Sequence, residues 1–233
     1  MLNALITGAS RGLGHALASA LVERGWNVVI DARDPDRLAT AAASLREVGP
    51  GSVRAIAGDV TAEAHVRQLV AAVPDGGLHL LVNNASTLGA SPLPRLAELP
   101  IEVFRRTLEV NVIAPLGLIQ ALRPALEMAH GAILNITSDA AVEPYETWGG
   151  YGSSKAALEQ LSAITALEEP AIRVYALDPG DLRTAMHQDA FPGQDISDRP
   201  LPGTVVPAIL RLIDERPPSG RYRAADLLVV TAA

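Results

Sequence analysis

Tyr151 and Lys155 are the two side chains whose types and spacing could most readily do chemistry together. Residues four apart share one face of a helix, so the phenol and the ammonium would project into the same space. An ordinary Tyr has a pKa of ~10, and lowering it toward neutrality requires ~4 kcal/mol of stabilisation of the phenolate. A neighbouring ammonium supplies part of that stabilisation. A pair with this spacing also arises by chance, as a partly exposed Tyr beside a surface Lys.

A glycine-rich loop, Thr7 to Gly14, lies between a short apolar segment and an amphipathic one. Glycine allows a tight turn and a close approach of the backbone to a pyrophosphate, and a helix N-terminus adds free N–H groups and partial positive charge. In a strand–loop–helix context this pattern predicts a dinucleotide site. The alternative is a glycine-rich turn without a ligand.

The glycine spacing is GxxxGxG, which differs from the GxGxxG of two-domain dehydrogenases. Together with motifs further along, the chain resembles the short-chain dehydrogenase/reductase (SDR) family, in the family's order and over nearly its whole length. The motifs that carry the resemblance are the glycine loop, Asp59, Asn83-Asn84-Ala85-Ser86, Asn111, Ser138, Tyr151 with Lys155, and Pro179-Gly180.

The resemblance implies a catalytic set of four residues. Tyr151 would exchange a proton with the substrate oxygen. Lys155 would hold the nicotinamide ribose and lower the Tyr pKa, while Ser138 would donate a hydrogen bond to the substrate oxygen. Asn111 would hold a water that connects Lys155 to solvent; its other interpretation, compatible with the first, is a residue that satisfies backbone groups at a helix kink.

The five histidines are scattered without metal-ligand spacing, so no metal site is expected. The resemblance also implies a set of cofactor contacts. Asp59 has a rival interpretation as a helix N-cap, and Ser86 stands where the family usually has Gly, from which we expect only local adjustment. The expected contacts are Gly8, Ser10, Arg11, Gly12, Leu13, Gly14, Arg33, Asp59, Val60, Asn83, Ala85, Tyr151, Lys155, Pro179, Gly180 and Thr184.

The end of the second predicted strand bears on the choice between NADP and NAD. Alignment with the family pattern places Ala32, rather than Asp31, at the strand tip, where an acidic residue would bind the ribose diol and repel a 2′-phosphate. Arg33 and Arg11 stand where NADP-dependent members often have a base, and two guanidiniums suit a phosphate. We therefore expect NADP(H) over NAD(H), although a shift of one residue would make Asp31 an NAD determinant.

Apolar strands alternate with helical segments, which predicts one doubly wound α/β domain over 1–233, with about seven mostly parallel strands and helices on both faces. We expect one long helical stretch over 101–128, bent at Pro115 and Pro124. The segment 180–203 follows the sixth strand without clear periodicity, so it is either a lid over the substrate or a plain surface loop. Aromatic residues between Ser138 and Tyr151 either border an apolar or ring-bearing substrate or simply pack that loop.

Composition excludes several function classes. The net charge is −7, which disfavours binding to nucleic acid. The chain has no Cys, so disulfides and thiolate catalysis are ruled out, and no apolar run reaches the ~18 residues of a membrane span.

We expect a cytoplasmic homodimer or homotetramer, paired through the helices near 101–128 and 151–168, that acts on a small carbonyl or alcohol substrate. The rival functions are an NAD-dependent alcohol dehydrogenase that runs toward oxidation and a non-catalytic dinucleotide sensor.

Overall fold

A parallel sheet of seven strands forms the centre of the computed structural model, which describes residues 1–228. The strand order is β3-β2-β1-β4-β5-β6-β7, and every neighbouring pair is parallel. The expected doubly wound α/β fold is thus confirmed. The strands are β1 Asn3–Ile6, β2 Asn27–Ala32, β3 Ser52–Ala57, β4 Leu80–Asn83, β5 Ala132–Ile136, β6 Arg173–Asp178 and β7 Gly220–Arg223.

Helices cover both faces of this sheet, because its central strands are buried and largely apolar on both sides. One core packs Leu17 and Ile209 against Ile6, and the other packs Leu69 and Leu118 against Leu5. Adjacent residues of a strand point to opposite faces, so Leu5 and Ile6 each serve a different core. The helices are α1 Gly12–Glu23, α2 Pro35–Arg46, α3 Glu63–Val70, α4 Ile101–Leu108, α5 Ala114–Met128, α6 Gly149–Glu168, α7 Ala185–Ala190, α8 Val206–Glu215 and α9 Ala224–Leu228.

The long helical stretch is interrupted at a different place from the one that its prolines predict. A wide π-type turn, Glu109–Ile113, separates α4 from α5. Pro115 falls in the first turn of α5, where its missing N–H costs little, and α5 continues through Pro124. Asn111 lies within this π-type turn and is buried. Turns of this kind occur frequently at functional sites.

The segment after β6 is more ordered than its composition suggests. It contains the short helix α7, whose N-cap is Thr184, and a 3₁₀ turn at Pro202–Val205. Six residues of helix are too few to produce a recognisable period, so the sequence showed only an irregular stretch.

A buried polar contact ties β4 to β5 and β5 to α6. The Nδ2 of Asn83 donates to the Oδ1 of Asn135 at 2.7 Å, and the two residues are aligned neighbours in the sheet. The Nδ2 of Asn135 then donates to the Oγ of Ser162 at 2.8 Å. α6, the helix that holds Tyr151, is thereby fixed to the centre of the sheet.

Within residues 1–228, no helix has both the length and the apolar character needed to cross a bilayer.

Candidate active site

A cleft of about 1100 Å³ lies at the carboxyl ends of the strands and brings the glycine loop and Tyr151 to one cavity. Ligands of doubly wound sheets bind at this edge. Three of the residues expected from the sequence, Gly14, Asn83 and Asn111, lie behind the lining rather than in it. The others line the cleft: Gly8, Ser10, Arg11, Gly12, Leu13, Arg33, Asp59, Val60, Ala85, Ser138, Tyr151, Lys155, Pro179, Gly180 and Thr184.

The glycine loop has the backbone conformation that its sequence predicts. Gly8 and Gly12 have φ values of 65° and 62°, in the left-handed region that side chains disfavour. A Cβ on Gly8 would come within 2.9 Å of the Cα of Ala85. The N-cap of α1 is Arg11, whose side chain does not cap the helix, so the first-turn N–H groups are left for a ligand.

Asn84, which the sequence analysis did not assign individually, ties the glycine loop to the end of β4. Its Nδ2 donates to the carbonyls of Thr7 and Gly8 at 2.8 and 3.1 Å. A Cβ on Gly14 would lie 2.6 Å from this same Nδ2, so Gly14 serves close packing rather than ligand contact. Asn83 is turned into the sheet. We therefore assign the cleft contact of this motif to Asn84 and Ala85.

Two guanidiniums face the outer end of the cleft beside β2. Arg11 and Arg33 are exposed and line it, and within residues 1–228 neither guanidinium has a hydrogen bond or ion pair. Arg37, which the sequence analysis did not select, lines the same end, with Asp34 3.8 Å away. Ala32 is the last residue of β2 and carries no acidic group.

Asp31 points to the opposite face of the sheet from Ala32 and is almost fully buried. Its Oδ1 accepts from the Gly8 amide at 2.9 Å, and its Oδ2 accepts from the Nε2 of His65 at 2.9 Å. The side chains of His65 and Asp31 are 4% and 2% exposed. The hydrogen bond that the ring of His65 donates to Asp31 raises the pKa of His65, which favours a charged pair. Both carboxylate oxygens of Asp31 therefore have partners within the protein.

Asp59 is also held by protein groups. Its Oδ1 accepts from the N–H and hydroxyl of Thr61, and its Oδ2 accepts from Arg106 at 2.5 Å. The N-cap of α3 is Ala62, so the N-cap interpretation of Asp59 is wrong; the side chain forms a turn before the helix instead. Asp59 and Val60 line the cleft. We therefore keep the contact of these two residues with adenine as a proposal.

Tyr151 and Lys155 lie on the same face of α6 and are both buried. The Nζ of Lys155 is 5.4 Å from the centroid of the Tyr151 ring and donates to the carbonyl of Ile136 at 2.8 Å. Burial lowers the pKa of Lys155 to about 7. Lys155 is thus poised to gain or lose its proton near neutrality, which makes its charge sensitive to any anion in the cleft.

The environment of Tyr151 keeps its phenol protonated. Burial raises its pKa above the ordinary value, the carboxylates of Asp139 and Asp178 raise it further, and the hydroxyls of Ser138 and Ser86 act in the opposite direction. This differs from the lowered pKa expected from the Lys155 pair, because burial and two carboxylates act on the phenol more strongly than the hydroxyls that oppose them. A protonated phenol is the form that can donate a proton.

Ser138 stands at the end of β5 with its hydroxyl in the cleft. Its Oγ donates to the Oδ1 of Asp139 at 2.8 Å and accepts from the amide of Ala140 at 3.2 Å. The Oδ2 of Asp139 accepts from the phenol of Tyr145 at 2.9 Å. Asp139 therefore binds both Ser138 and Tyr145 in the loop that follows. In the sequence, only its position next to Ser138 points to this role.

The side chain of Asn111 is used entirely within the protein. Its Oδ1 accepts from the Oγ of Ser86 and the amide of Thr87 at 3.1 and 2.9 Å. Its Nδ2 donates to the carbonyl of Thr87 and the Oγ of Ser154, both at 2.9 Å. The kink interpretation of Asn111 is thus supported, and only its backbone is left for the expected water. Ser86 does more than adjust locally, since it reaches both Asn111 and the phenol.

The far wall of the cleft comes from the segment after β6. Gly180 has a φ of 73°, and its amide donates to the Oδ1 of Asp178 at 2.9 Å. Thr184 approaches the glycine loop, because a Cβ on Gly12 would lie 3.7 Å from its methyl group. The segment thus faces the glycine loop across the cleft, as a lid would.

These features fit a dinucleotide. The left-handed glycines and the uncapped α1 N-terminus suit a pyrophosphate. The volume of the cleft, and its extension from Arg33 to Tyr151, suit an extended ligand with chemistry at one end.

The comparison with known families gives a single result. The family model of the short chain dehydrogenases matches residues 2–195. This chain belongs to the SDR family. Serine 3-dehydrogenase of Agrobacterium fabrum strain C58 is 35% identical over 185 residues, which cover 77% of this chain and 72% of that protein.

Solved structures of SDR proteins share the whole architecture. A short chain dehydrogenase from Pseudomonas syringae superposes with a TM-score of 0.89 and 32% identity, covering 96% of this chain and 94% of that one. One from Escherichia coli CFT073, complexed with NADPH, has a TM-score of 0.87 and 29% identity and covers 96% of each chain. This SDR protein is therefore an oxidoreductase of a family that uses nicotinamide cofactors on small molecules.

Proposed function

We propose that this SDR protein is an NADP-dependent reductase of a carbonyl substrate, with Tyr151 as the general acid. The observation that carries the proposal is the shared cleft, in which a buried phenol, a buried lysine and the Ser138 hydroxyl lie at one end of a dinucleotide-shaped cavity.

The protonation state of Tyr151 favours reduction. The raised pKa keeps the proton on the phenol oxygen, from which it passes to the substrate oxygen as negative charge develops there. Ser138 holds the same oxygen by a hydrogen bond. The nicotinamide supplies the hydride when the cofactor is bound. In the reverse direction Tyr151 would accept the proton of a secondary alcohol.

Lys155 and Asn111 support this end of the site. The ammonium of Lys155 would bind the ribose hydroxyls next to the nicotinamide, and its pKa of about 7 would rise beside an anionic ligand. Asn111 holds the π-type turn against Ser86 and Ser154, and so fixes the wall behind the phenol. Catalysis by this set requires no metal.

The choice of NADP rests on the outer end of the cleft. Arg11 and Arg33 have no protein partner within residues 1–228 and could clamp a 2′-phosphate. Asp31, the residue that could have favoured NAD, is held by Gly8 and His65 instead. The NADPH complex of the E. coli relative supports the same choice.

The test is to incubate purified protein with NADPH or NADH and a panel of aldehydes, ketones and quinones, and to follow the absorbance of the reduced cofactor. We expect turnover with NADPH that Tyr151→Phe abolishes. Oxidation of alcohols with NAD as the only reaction would favour the rival dehydrogenase. Tight NADPH binding without any turnover would favour the dinucleotide sensor, although this chain retains all four residues of the catalytic set.

We also propose a homo-oligomer in the cytoplasm. Apolar side chains on α5 and α6 and at the turn before α5 are exposed, with Ile113 59%, Ile164 40% and Leu167 79% accessible. Such side chains on neighbouring helices are suited to a contact between two copies. Size-exclusion chromatography with light scattering tests this assembly.

A further inference from the structure

The aromatic residues of this chain are few and unevenly distributed. The sequence has two Trp, four Tyr and two Phe. Half of them, Tyr145, Trp148, Tyr151 and Phe191, line the cleft. Three of them belong to the loop before α6 and its first turn, whereas Phe191 belongs to the segment after β6, so chain proximity alone does not explain the grouping.

Four rings form a continuous row that begins at the proposed acid. The centroid of Trp148 is 5.7 Å from that of Tyr151 in an edge-to-face arrangement, and 6.0 Å from that of Phe191. Phe191 in turn lies 4.9 Å from the ring of His187. Trp148 and Phe191 are only half-buried, so part of each ring remains available for contact. Aromatic rings at these separations attract each other and other rings.

His187 brings a polar atom to this apolar row. Its side chain is 10% exposed, and its Nε2 is buried and has no hydrogen-bond partner within residues 1–228. Its Nδ1 lies 3.9 Å from the Oδ1 of Asp181, and its ring lines the cleft. A buried nitrogen without a partner is unfavourable, and a ligand with a hydrogen-bonding group would remove that cost.

The charges around the row disfavour an anionic substrate. Asp139, Asp178 and Asp181 all line this end of the cleft, and the first two raise the pKa of the phenol. Asp178 and Asp181 have arginine partners, Arg221 at 3.3 Å and Arg199 at 3.6 Å, so Asp139 would contribute most of the repulsion of a carboxylate placed here. A neutral hydroxyl in the same place would not be repelled, because it bears no charge.

From the row, the unpartnered nitrogen and the negative surroundings, we propose that the substrate is an uncharged carbonyl compound with a planar ring, which packs against Trp148 and Phe191. A polar substituent of that ring, such as a hydroxyl, pairs with the Nε2 of His187. This inference rests on the proposed function in one respect, because the reacting carbonyl is placed beside Tyr151. The ring contact itself makes Trp148, Phe191 and His187 determinants of specificity.

Binding without turnover gives the first test. In Trp26→Phe protein, Trp148 is the only tryptophan, so quenching of its fluorescence reports ligands in this part of the cleft. Acetophenone and methyl hexyl ketone have equal numbers of carbon atoms and differ in the ring. We expect acetophenone to bind about tenfold more tightly, para-hydroxyacetophenone about fivefold more tightly again, and para-acetylbenzoate more weakly than either ring ketone.

Two variants separate the ring contact from the polar contact. Phe191→Leu should remove most of the preference for acetophenone over methyl hexyl ketone. His187→Phe retains a ring and should remove only the advantage of the para-hydroxyl group. Tyr222→Leu is the matched control, because Tyr222 forms an aromatic pair with Tyr175 outside the cleft and should leave both ratios unchanged.

Equal binding of acetophenone and methyl hexyl ketone to the parental protein would overturn the proposal, whether or not either is reduced. A para-hydroxyl advantage that survives in His187→Phe would overturn the assignment of His187. Failure of the proposed reductase function would look different: ring ketones would bind with the expected order, but no carbonyl compound would oxidise NADPH.

Discussion

The Nε2 of His65 lies 2.9 Å from the Oδ2 of Asp31, while the other oxygen of the same carboxylate holds the amide of Gly8. One buried carboxylate thus connects α3, β2 and the first glycine of the glycine loop. Burying an ion pair is costly, but removing one partner is costlier, because the remaining charge has neither water nor a partner.

The first prediction concerns that pair. His65→Leu should lower the free energy of unfolding by about 3–5 kcal/mol, since it leaves the Asp31 carboxylate without its cation. Adding Asp31→Asn should restore most of the loss, because the Asn oxygen still accepts from Gly8 and bears no charge. Urea unfolding of the three proteins measures this. An equal loss in the single and double variants would mean that His65 acts only by filling space.

The same pair predicts a pH dependence. The pKa of His65 is raised in the folded protein, so its contribution to stability is fully present below the unfolded pKa of ~6.5 and is lost as pH rises through the higher folded value. The stability advantage of the parental protein over His65→Leu/Asp31→Asn should therefore shrink as the pH rises from about 6.5 into the alkaline range. A difference that stays constant or grows over this range would exclude a charged His65 in the folded state.

The second residue to test is Tyr151. Tyr151→Phe removes only the hydroxyl, so turnover should fall by about 10²–10⁴-fold while NADPH affinity stays within about twofold. Tyr222→Phe is the control, because it removes a tyrosine hydroxyl outside the cleft. Stopped-flow measurement of NADPH oxidation on the best carbonyl substrate gives the rate, and near-parental turnover in Tyr151→Phe would remove the phenol from the mechanism.

Lys155 should produce a titration near neutrality. Its pKa of about 7 means that the ammonium is present at lower pH and is lost above that value. The kcat/KM for NADPH, which reports the free protein, should fall as pH rises above about 7. Lys155→Ala should bind NADPH more weakly and lack this titration. An unchanged profile in the variant would assign the titration to another group.

Cofactor preference gives the last prediction. NADPH should bind more tightly than NADH, and Arg11→Ala with Arg33→Ala should weaken NADPH binding by at least about tenfold, because each charge-assisted hydrogen bond contributes about 1.5–3 kcal/mol. NADH lacks the 2′-phosphate and should change much less. Arg54→Ala, an exposed arginine on β3 outside the cleft, is the control. Tighter NADH binding by the parental protein would contradict the assignment.

Much of the fold and of the cleft lining follows from local sequence. The central strands of the sheet each have an apolar run. The glycine loop, Ser138 and Tyr151 all stand at the carboxyl ends of strands or next to them, where the topology of a doubly wound sheet brings them together. The position of Ala32 at the end of β2 was likewise readable from the sequence.

Contacts between distant segments could not be predicted in the same way. His65 and Asp31 are ordinary residues in their own segments, and only the packing of α3 against β2 makes them a pair. The interruption before α5 depends on how Asn111 pairs with Thr87 and Ser154, whereas the sequence offered only prolines as a reason for bending. The aromatic row likewise needs α7 to bring Phe191 to Trp148.

The amide pair between Asn83 and Asn135 has a consequence for how the two halves of the sheet find their alignment. β4 and β5 are otherwise aliphatic, and aliphatic strands could slide past one another with little change in packing. A slip of one residue would place Asn83 opposite Leu134 or Ile136, and the amide of Asn83 would then lie on the wrong face without its partner. These two side chains therefore select one register, and neither can be exchanged independently of the other as the sequence diverges.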